Sequence, residues 1–256
     1  MFAFEQLSIG YFTVLGLASP FARAEPRRAA LVALACAAIV AGVLLVSGRC
    51  STDVRVGMPH AYLILAYWMP ALLVRSGPAR FEAWLVSRES AWRPPLACGW
   101  LGQASELAYL FCYPMVPLAF FLVYATGGVA AAERFWVSVL LAGFICYMSL
   151  PWLVSRPPRL AGGALATRSS IGRLNERVLG RVSHNLNTFP SGHVAVSVAA
   201  AFAVLSVWWT AGIVVAIVAA GIALGALIGR HHYVLDVGLG AVVGAAAGVM
   251  SFSAEF

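Results

Sequence analysis

Long apolar runs with few charges constrain this chain more than any other feature of its sequence. The clearest example is Ala29–Ser47, which contains no charged residue. As a helix it is about long enough to cross a hydrocarbon core of about 30 Å. Within a bilayer every backbone polar group must find a partner inside the protein, and a helix meets that need within one segment. The sequence therefore predicts an all-α, polytopic bundle of membrane helices.

Further apolar runs predict more crossings. Met58–Val74 is a weaker span, because it is short and contains Pro59, His60 and Pro70. The total is seven transmembrane helices if this run crosses and six if it does not. Residues 75–102 interleave tryptophan with arginine, a pattern typical of the membrane interface, although Phe81–Leu101 could dip into the bilayer. The clear spans that remain are Ser105–Thr126, Phe135–Val154, Ser191–Trp209, Gly212–Gly229 and Tyr233–Phe252.

The composition agrees with a membrane protein and argues against a nucleic-acid partner. Hydrophobic residues make up 61% of the chain and charged residues only 11%, which is more apolar than a soluble core of this size requires. The net charge of +7 rests on 17 arginines, since the chain has no lysine. Because these arginines flank apolar runs, anionic lipid headgroups explain them better than nucleic acid does.

The remaining segments predict a single integral-membrane domain over residues 1–256. Residues 1–28 are expected to form an interfacial N-terminal segment instead of a cleaved signal peptide, because no small-residue cleavage site follows an apolar core there. The five cysteines are scattered and form neither a disulfide framework nor a metal motif. Rows of small residues at four-residue spacing predict close helix packing: Gly221, Gly225 and Gly229, then Gly240, Gly244 and Gly248.

Two polar stretches lie where apolar runs begin or end. They are Phe-Pro-Ser-Gly-His at 189–193 and Arg-His-His-Tyr-Val-Leu-Asp at 230–236. If all intervening spans cross, alternation places both stretches on one membrane face, together with the end of the helix over 135–154. Ionisable groups at the ends of spans are costly and indicate function. We therefore predict an active site at this face.

The first stretch predicts an anion site at a helix N-terminus. A helix that begins at Pro190 would present its N–H groups, around Ser191 and Gly192, to a phosphate. Gly192 would let the phosphate approach the backbone. His193 would then lie beside the bound group, placed to give a proton to a leaving oxygen.

The second stretch predicts a nucleophile and its orienting carboxylate. His232 and Asp236 are four residues apart and so share a helix face. A carboxylate that holds one imidazole nitrogen protonated leaves the other nitrogen able to attack. Arginines near both stretches would bind phosphate oxygens through forked donors: Arg156, Arg159 and Arg230.

Two alternatives compete with this interpretation. A zinc site could be built from His193, His231, His232 and Asp236, but adjacent histidines point in different directions on a helix and no HExxH or cysteine pattern is present. We therefore expect neither a metal nor another cofactor. A non-catalytic anion-binding or lipid-binding membrane protein, such as a transporter, would use the same basic pocket, although it would not need Asp236 behind His232.

At these residues the chain resembles the type 2 phosphatidic acid phosphatase superfamily, over residues 104–252. Residues 189–193 and the His-x3-Asp pattern at 232–236 are similar to its second and third motifs, and Arg156-Pro157 to the end of its first motif, Lys-x6-Arg-Pro. The resemblance implies a six-helix catalytic core and metal-independent attack on a lipid phosphate. It also implies a phosphohistidine at His232, with His193 as acid and base. The phosphate ligands that it implies are Arg156, Ser191 and Gly192.

The sequence departs from the family pattern at two positions. Ser149 stands in the slot of the first-motif lysine, and Ala226 stands where an arginine is expected before His232. Arg159 could replace the lysine, and Arg230, one helical turn beyond Ala226, could replace the arginine. The run over 231–236 also resembles the third motif of the inositol phosphorylceramide synthase branch, whose members transfer a headgroup to a lipid hydroxyl. A lipid phosphatase and a headgroup phosphotransferase are both consistent with these residues.

The arginines also predict an orientation. With seven crossings, the active-site face carries every arginine except Arg49, Arg55 and Arg134. Because positive residues concentrate in the cytoplasm, this distribution places the active site on the cytoplasmic face. We expect an integral protein of a bacterial inner (plasma) membrane whose partners are membrane lipids and a lipid phosphate substrate.

Overall fold

The structure, a computed structural model, describes residues 1–75, 80–89, 99–161 and 170–253. These ranges contain α-helices and one isolated bridge, between Ser155 and Asn187, and they confirm the predicted all-α polytopic bundle. The helices are α1 (Ala3–Ala18), α2 (Pro26–Arg49), α3 (Thr52–Gly57), α4 (Pro59–Ala71), α5 (Arg80–Glu89), α6 (Gly99–Leu110), α7 (Cys112–Met148), α8 (Pro158–Ala161), α9 (Ser170–Val182), α10 (Gly192–Val207), α11 (Trp209–Ile228) and α12 (Val234–Ser253).

Three helices in the described ranges are long and apolar enough to cross a membrane. They are α2, α7 and α11, and shorter apolar helical stretches cover Gly192–Val207 and Val234–Met250. The helix α7 contains a break at Gly128, whose φ of 64° and ψ of −157° are not helical. The sequence predicts the two apolar runs on either side of this break but places a longer connection between them. A single glycine suffices because it adopts positive φ at little cost.

The centre of the bundle is the second half of α7, which packs against α10 and α12. Its side chains Phe135, Trp136 and Leu140 are fully buried. On α12, a Cβ added at Gly240 would lie 2.6 Å from the Ser191 carbonyl oxygen, and one at Gly244 would lie 2.3 Å from the Ala195 carbonyl oxygen. The predicted close packing at this glycine row is therefore confirmed, with α10 as the neighbour.

The doubtful span Met58–Val74 contains α4, which runs between the two ends of the bundle. Near its start, the His60 ring packs edge-on against Trp136, with centroids 4.5 Å apart. Near its end, the Tyr67 ring lies 6.3 Å from the ring of His193. Because α4 extends from one end of the bundle towards the other, its path favours seven transmembrane helices over six. The number of membrane crossings stays a prediction.

The N-terminal helix α1 packs along the bundle. The Tyr11 ring stacks on Phe144 at 4.1 Å, and the backbone N–H of Ala3 donates to Glu133 at 2.7 Å. The Glu5 carboxylate is buried and binds Arg55 at 2.7 Å. This arrangement differs from the interfacial segment predicted for residues 1–28, because the aromatic face of α1 finds protein partners that hydropathy does not distinguish from lipid. The position of α1 relative to the lipid stays a prediction.

Candidate active site

The predicted convergence of helix ends is present at one end of the bundle. The end of α7, the start of α10, the end of α11 and the start of α12 surround a cavity that also receives side chains from α4, α6 and α9. Its described lining residues are Tyr67, Tyr109, Pro157, Arg159, Leu179, Ser183, Leu186, Asn187, Thr188, His193, His231 and His232.

The predicted contact between His232 and Asp236 is present, although His232 precedes α12, which begins at Val234, and so does not share a helix face with Asp236. The Nδ1 atom of His232 lies 3.0 Å from Oδ2 of Asp236, and both side chains are buried. A carboxylate only accepts hydrogen bonds, so this contact places the imidazole proton on Nδ1. The lone pair of Nε2 is then the one that can attack an electrophile.

His193 lies across the cavity from His232. The two ring centroids are 5.9 Å apart and the ring planes are nearly perpendicular, at 81°. Tyr109 and Tyr113 each pack against His193 at 5.8 Å. An imidazole from α10 and one from the connection between α11 and α12 therefore face one space, which is the arrangement that a nucleophile and a general acid require.

The start of α10 differs from the prediction in two respects. The helix begins at Gly192 with Ser191 as its N-cap, instead of beginning at Pro190. The expected anion donors also have protein partners: the N–H of Ser191 donates to the Asp236 carbonyl at 2.9 Å and that of Gly192 to Thr188 Oγ1 at 3.0 Å. Capping side chains are the common partners of such N–H groups.

Gly192 has a packing role that the sequence analysis does not predict. A Cβ at this position would lie 2.3 Å from Cε1 of the Tyr147 ring, far inside a normal contact distance. The absence of a side chain therefore lets α10 approach α7. Phosphate binding by Ser191 and Gly192 stays a prediction.

Arg156 lies outside the described cavity lining and is bound to Glu82 of α5. Its Nη2 lies 2.7 Å from Oε1 of Glu82, and its backbone N–H donates to Oε2 at 2.7 Å. The guanidinium lowers the pKa of the Glu82 carboxyl below its usual value, so the pair is charged at neutral pH. The Arg156 side chain is still 56% exposed. Its role in phosphate binding stays a prediction.

Arg230 does not lie on the helix face expected for it. The helix α11 ends at Ile228, and Arg230 follows with a left-handed φ of 52°. The argument that it repeats the position of Ala226 one turn later is therefore wrong, because the helix has already ended. Arg159, by contrast, lines the cavity, and its backbone N–H donates to the Arg230 carbonyl at 3.1 Å.

Ser149 and Ala226, the two residues that depart from the family motifs, make contacts that stabilise the fold. The Ser149 hydroxyl donates to the carbonyl of Phe189 and so ties the end of α7 to the second motif. The carbonyl of Ala226 accepts the backbone N–H groups of His231, at 2.9 Å, and His232, at 3.1 Å. Neither position supplies a cation to the cavity.

The helix α5 contacts all three motif regions, which the sequence analysis does not predict. Besides the Glu82 contact with Arg156, the Phe81 ring packs edge-on against Phe189 at 4.9 Å. The Glu89 carboxylate accepts the N–H groups of Val234 and Leu235, each at 2.8 Å, and thereby caps α12. The chain has only 10 acidic residues. The position of Glu82 and Glu89 within a segment rich in arginine and tryptophan could therefore have indicated that these carboxylates bind other parts of the protein.

A second buried polar cluster surrounds His231. Its Nε2 lies 3.0 Å from Oε2 of Glu106, and Asn175 Nδ2 donates to the same oxygen at 2.6 Å. Arg159 Nη1 contacts Nδ1 of His231. The Tyr109 ring stacks on the imidazole at 4.0 Å with parallel planes. The sequence analysis considers His231 only as a metal ligand and does not identify Glu106 or Asn175.

The predicted absence of a metal is not decided by this geometry. In the described ranges no group of three or more His, Cys, Asp or Glu side chains is arranged to hold a metal ion.

His231 is held among protein partners, and burial lowers its pKa to about 4. His184, beside the cavity, is likewise lowered to about 4 by burial. Both imidazoles are therefore neutral at pH 7.

Comparison with known proteins identifies one family. A family model described as the PAP2 superfamily matches residues 79–253, which is more than half of the chain and includes every predicted site residue. Neither the comparison with curated proteins nor the comparison with solved structures gave a match.

Proposed function

The chain belongs to the PAP2 superfamily, and on that premise we propose that it cleaves the phosphoester or phosphoanhydride of a lipid phosphate through a phosphohistidine at His232. Family membership supports a phosphatase-type function in general terms, and the apolar helices make the chain a membrane protein. The substrate, the intermediate and the acceptor belong to the proposal.

One observation carries the proposal. The Nδ1 atom of His232 lies 3.0 Å from the buried Asp236 carboxylate, while the ring of His193 faces the same cavity 5.9 Å away. A site that only binds an anion has no use for a carboxylate behind one of its imidazoles, since the negative charge weakens anion binding. An attacking imidazole does use it, because the carboxylate stabilises the positive ring that forms.

In the first step, Nε2 of His232 attacks the phosphorus atom. The P–N bond forms as the P–O bond to the lipid breaks, and the protonated imidazole of His193 gives its proton to the departing oxygen. The Asp236 carboxylate keeps the proton on Nδ1 of His232 and balances the ring's positive charge. The products of this step are the lipid alcohol (or a lipid monophosphate from a diphosphate) and the phosphohistidine.

In the second step, an acceptor hydroxyl attacks the phosphohistidine. Neutral His193 takes the proton of the acceptor, the new P–O bond forms, and the P–N bond breaks to restore His232. Water as acceptor gives inorganic phosphate. Both steps need a cation to stabilise the charge on the phosphoryl oxygens. Of the described arginines, Arg159 lines the cavity, and Arg156 would have to leave Glu82 to take part.

A lipid alcohol as acceptor would make the protein a headgroup phosphotransferase of the inositol phosphorylceramide synthase type. The His-His-Tyr-x-x-Asp pattern at 231–236 supports this second candidate. Attack by His232 on phosphorus is common to both candidates. In the phosphotransferase the group that His232 carries keeps its headgroup, as when diacylglycerol leaves phosphatidylinositol, and a lipid hydroxyl then accepts that phosphoryl-headgroup.

The proposal includes a location. We place the protein in a bacterial inner membrane, with the active site at the cytoplasmic face to which the arginine distribution assigns it. A reporter fused to the C-terminus tests the orientation, because with seven crossings the C-terminus lies on the face opposite the site. A cytoplasmic C-terminus would contradict this arrangement.

The test of the function uses purified protein in detergent with a chelator present. Phosphatidic acid, polyprenyl mono- and diphosphates and phosphatidylinositol are supplied in turn, each with and without a lipid alcohol, and both released phosphate and new lipids are measured. We expect turnover with at least one substrate and its loss, by roughly a thousandfold or more, in His232→Ala. The matched control is His60→Ala, a histidine at the opposite end of the bundle, which should retain activity.

Each outcome separates the candidates. Phosphate release without acceptor supports the phosphatase, and a new lipid formed only with acceptor supports the phosphotransferase. Unchanged turnover in His232→Ala would eliminate the phosphohistidine. Binding of the lipid phosphates without turnover of any of them would favour the non-catalytic membrane protein.

A further inference from the structure

The two arginines of the 155–161 segment are held in chemically different ways. Arg156 is paired directly with the Glu82 carboxylate, so its charge is neutralised where it lies. Arg159 instead contacts the Nδ1 atom of His231, and Glu106 lies on the far side of that imidazole. Arg159 is thus fixed in position by a neutral ring.

Proton accounting determines the direction of the hydrogen bonds that link Arg159, His231 and Glu106. A guanidinium can only donate, so Nδ1 of His231 accepts from Arg159. The ring proton therefore resides on Nε2, which donates to Oε2 of Glu106 at 3.0 Å. The amide nitrogen of Asn175 donates to the same carboxylate oxygen, because an amide oxygen there would repel it. The chain of donors runs from Arg159 through His231 to Glu106.

The cluster joins four segments of the fold and is largely buried. Glu106 belongs to α6, Arg159 to α8 and Asn175 to α9, while His231 lies between α11 and α12. Glu106, Asn175 and His231 are buried, and the imidazole is clamped flat on the Tyr109 ring. Buried networks whose members are hydrogen-bonded fix the geometry of their parts. Arg159 and His231 both line the cavity, and of the two Arg159 carries the positive charge.

We propose that Glu106, His231 and Asn175 are positioning residues that hold Arg159 as the phosphate-binding cation of the site. The proposal rests on the proposed function. Arg159 supplies the charge that Ser149 and Ala226 do not supply at the family's lysine and arginine positions. The neutral imidazole orients the guanidinium without neutralising it, so its donors meet the phosphoryl oxygens already aligned.

A double-mutant cycle on phosphate binding tests this proposal without requiring turnover. The probe is radiolabelled inorganic phosphate in equilibrium dialysis against protein in detergent, with the wild type, Arg159→Ala, His231→Gln and the double variant. We expect Arg159→Ala and His231→Gln each to weaken binding roughly tenfold, which is the scale of a hydrogen bond to a charged group. In the Arg159→Ala background, His231→Gln should change binding by less than about twofold, because its effect passes through Arg159.

Conservative variants separate positioning from folding. His231→Asn can place its amide oxygen where Nδ1 lies and so still accept from Arg159, whereas Gln places its amide nearer the Nε2 position. We expect His231→Asn to bind phosphate more tightly than His231→Gln. Glu106→Gln keeps the shape and should weaken binding in the same direction, and the midpoint of thermal unfolding identifies any variant that fails to fold.

The outcomes distinguish this inference from the proposed function. Additive losses in the double variant, or no phosphate binding by the wild type, would overturn the positioning role. Non-additive losses in a protein that turns over no lipid phosphate would support the positioning of Arg159 and overturn the enzymatic proposal. If the wild type turns over a lipid phosphate and His231→Gln binds phosphate as tightly as the wild type, the enzymatic proposal stands and the positioning role of Glu106, His231 and Asn175 is overturned.

Discussion

The Glu82 carboxylate holds Arg156 at both its backbone and its side chain. Oε2 accepts the backbone N–H at 2.7 Å and the Nε at 3.1 Å, while Oε1 accepts from Nη2 at 2.7 Å. A lipid phosphate that uses Arg156 must therefore displace a carboxylate of similar geometry. If Arg156 binds the phosphate as predicted, Glu82 of α5 competes with the substrate for this arginine.

Replacing Glu82 with Gln should strengthen substrate binding. The variant removes the competing charge, so we expect KM for the lipid phosphate to fall roughly threefold to tenfold with little change in kcat, on the scale of an ion pair at a partly exposed site. Glu25→Gln, which removes the same charge from an exposed pair with Arg28, is the matched control. An unchanged KM in Glu82→Gln would mean that the substrate does not use Arg156.

Replacing Asp236 with Asn should reduce turnover less than replacing His232. The amide oxygen can still accept from Nδ1 of His232, but it does not balance the charge of the phosphorylated ring. We expect kcat to fall roughly a hundredfold or more, with labelled phosphohistidine trapped at a lower level after acid-free quenching. Asp53→Asn, at the Tyr124 contact, is the control. Normal kcat in Asp236→Asn would remove its orienting role.

Replacing Ser149 with Ala should loosen the second motif. The hydroxyl that donates to Phe189 would be lost, at a cost of about 1 kcal/mol in the free energy of unfolding. We expect a lower unfolding midpoint in detergent together with reduced kcat, because Phe189 leads into the segment that carries His193. Ser47→Ala loses only a local bond to Leu44 and should leave kcat intact. Equal kcat in the two variants would contradict this link.

Replacing Gly240 with Ala should separate α10 from α12. The new methyl group would meet the Ser191 carbonyl, and overpacking of this kind costs about 1–3 kcal/mol. Gly238→Ala lies on the same helix with nothing within 4 Å of its Cβ, so it should unfold at the wild-type temperature or above. Activity measured beside thermal unfolding checks the pair, and identical midpoints would mean that the helices approach less closely than described.

Acid should destabilise the protein through its buried neutral histidines. His231 and His184 titrate near pH 4 when folded and near 6.5 when unfolded. The unfolded state binds more protons between these values, so stability is lost as the pH falls from 6.5 to 4. For His231 the loss is on the order of 3 kcal/mol. The unfolding midpoint should fall across this window, and His231→Gln should flatten the dependence. An unfolding midpoint that does not change between pH 6.5 and pH 4 would contradict this prediction.

The helix bundle was predictable because the backbone polar groups of an apolar run in a bilayer must find partners within the protein, and a helix provides them within one segment. Long runs such as Ala29–Ser47 predicted helices, and the glycine row on α12 predicted close packing. The exact helix ends were not predictable, since they depend on single residues such as Gly128 and Ser191. The packing of α1 was missed because hydropathy does not tell a lipid-facing aromatic from one that stacks on Phe144.

The contact of His232 with Asp236 was accessible to sequence reasoning because residues four apart at the start of a helix lie close together. The expected shared helix face was wrong, since His232 precedes the first residue of α12. Arg230 was misjudged for a similar reason, because the periodic argument was extended past the end of α11. Contacts between distant segments have no such local signal, so the partners of Arg156 and of His231 came only from the fold.

The backbone N–H of Ser191 donates a hydrogen bond to the Asp236 carbonyl, and this bond joins α10 to α12 near the start of each helix. His193, two residues after Ser191, and His232, four residues before Asp236, consequently belong to one hydrogen-bonded block. Tyr67 on α4, Leu179 on α9 and Leu186 in the following loop line that cavity without belonging to the block. If the proposed function holds, reaction and substrate range are thus separable: the lipid that is accepted can be redesigned, or can diverge, at these positions while the residues that break the bond are inherited unchanged.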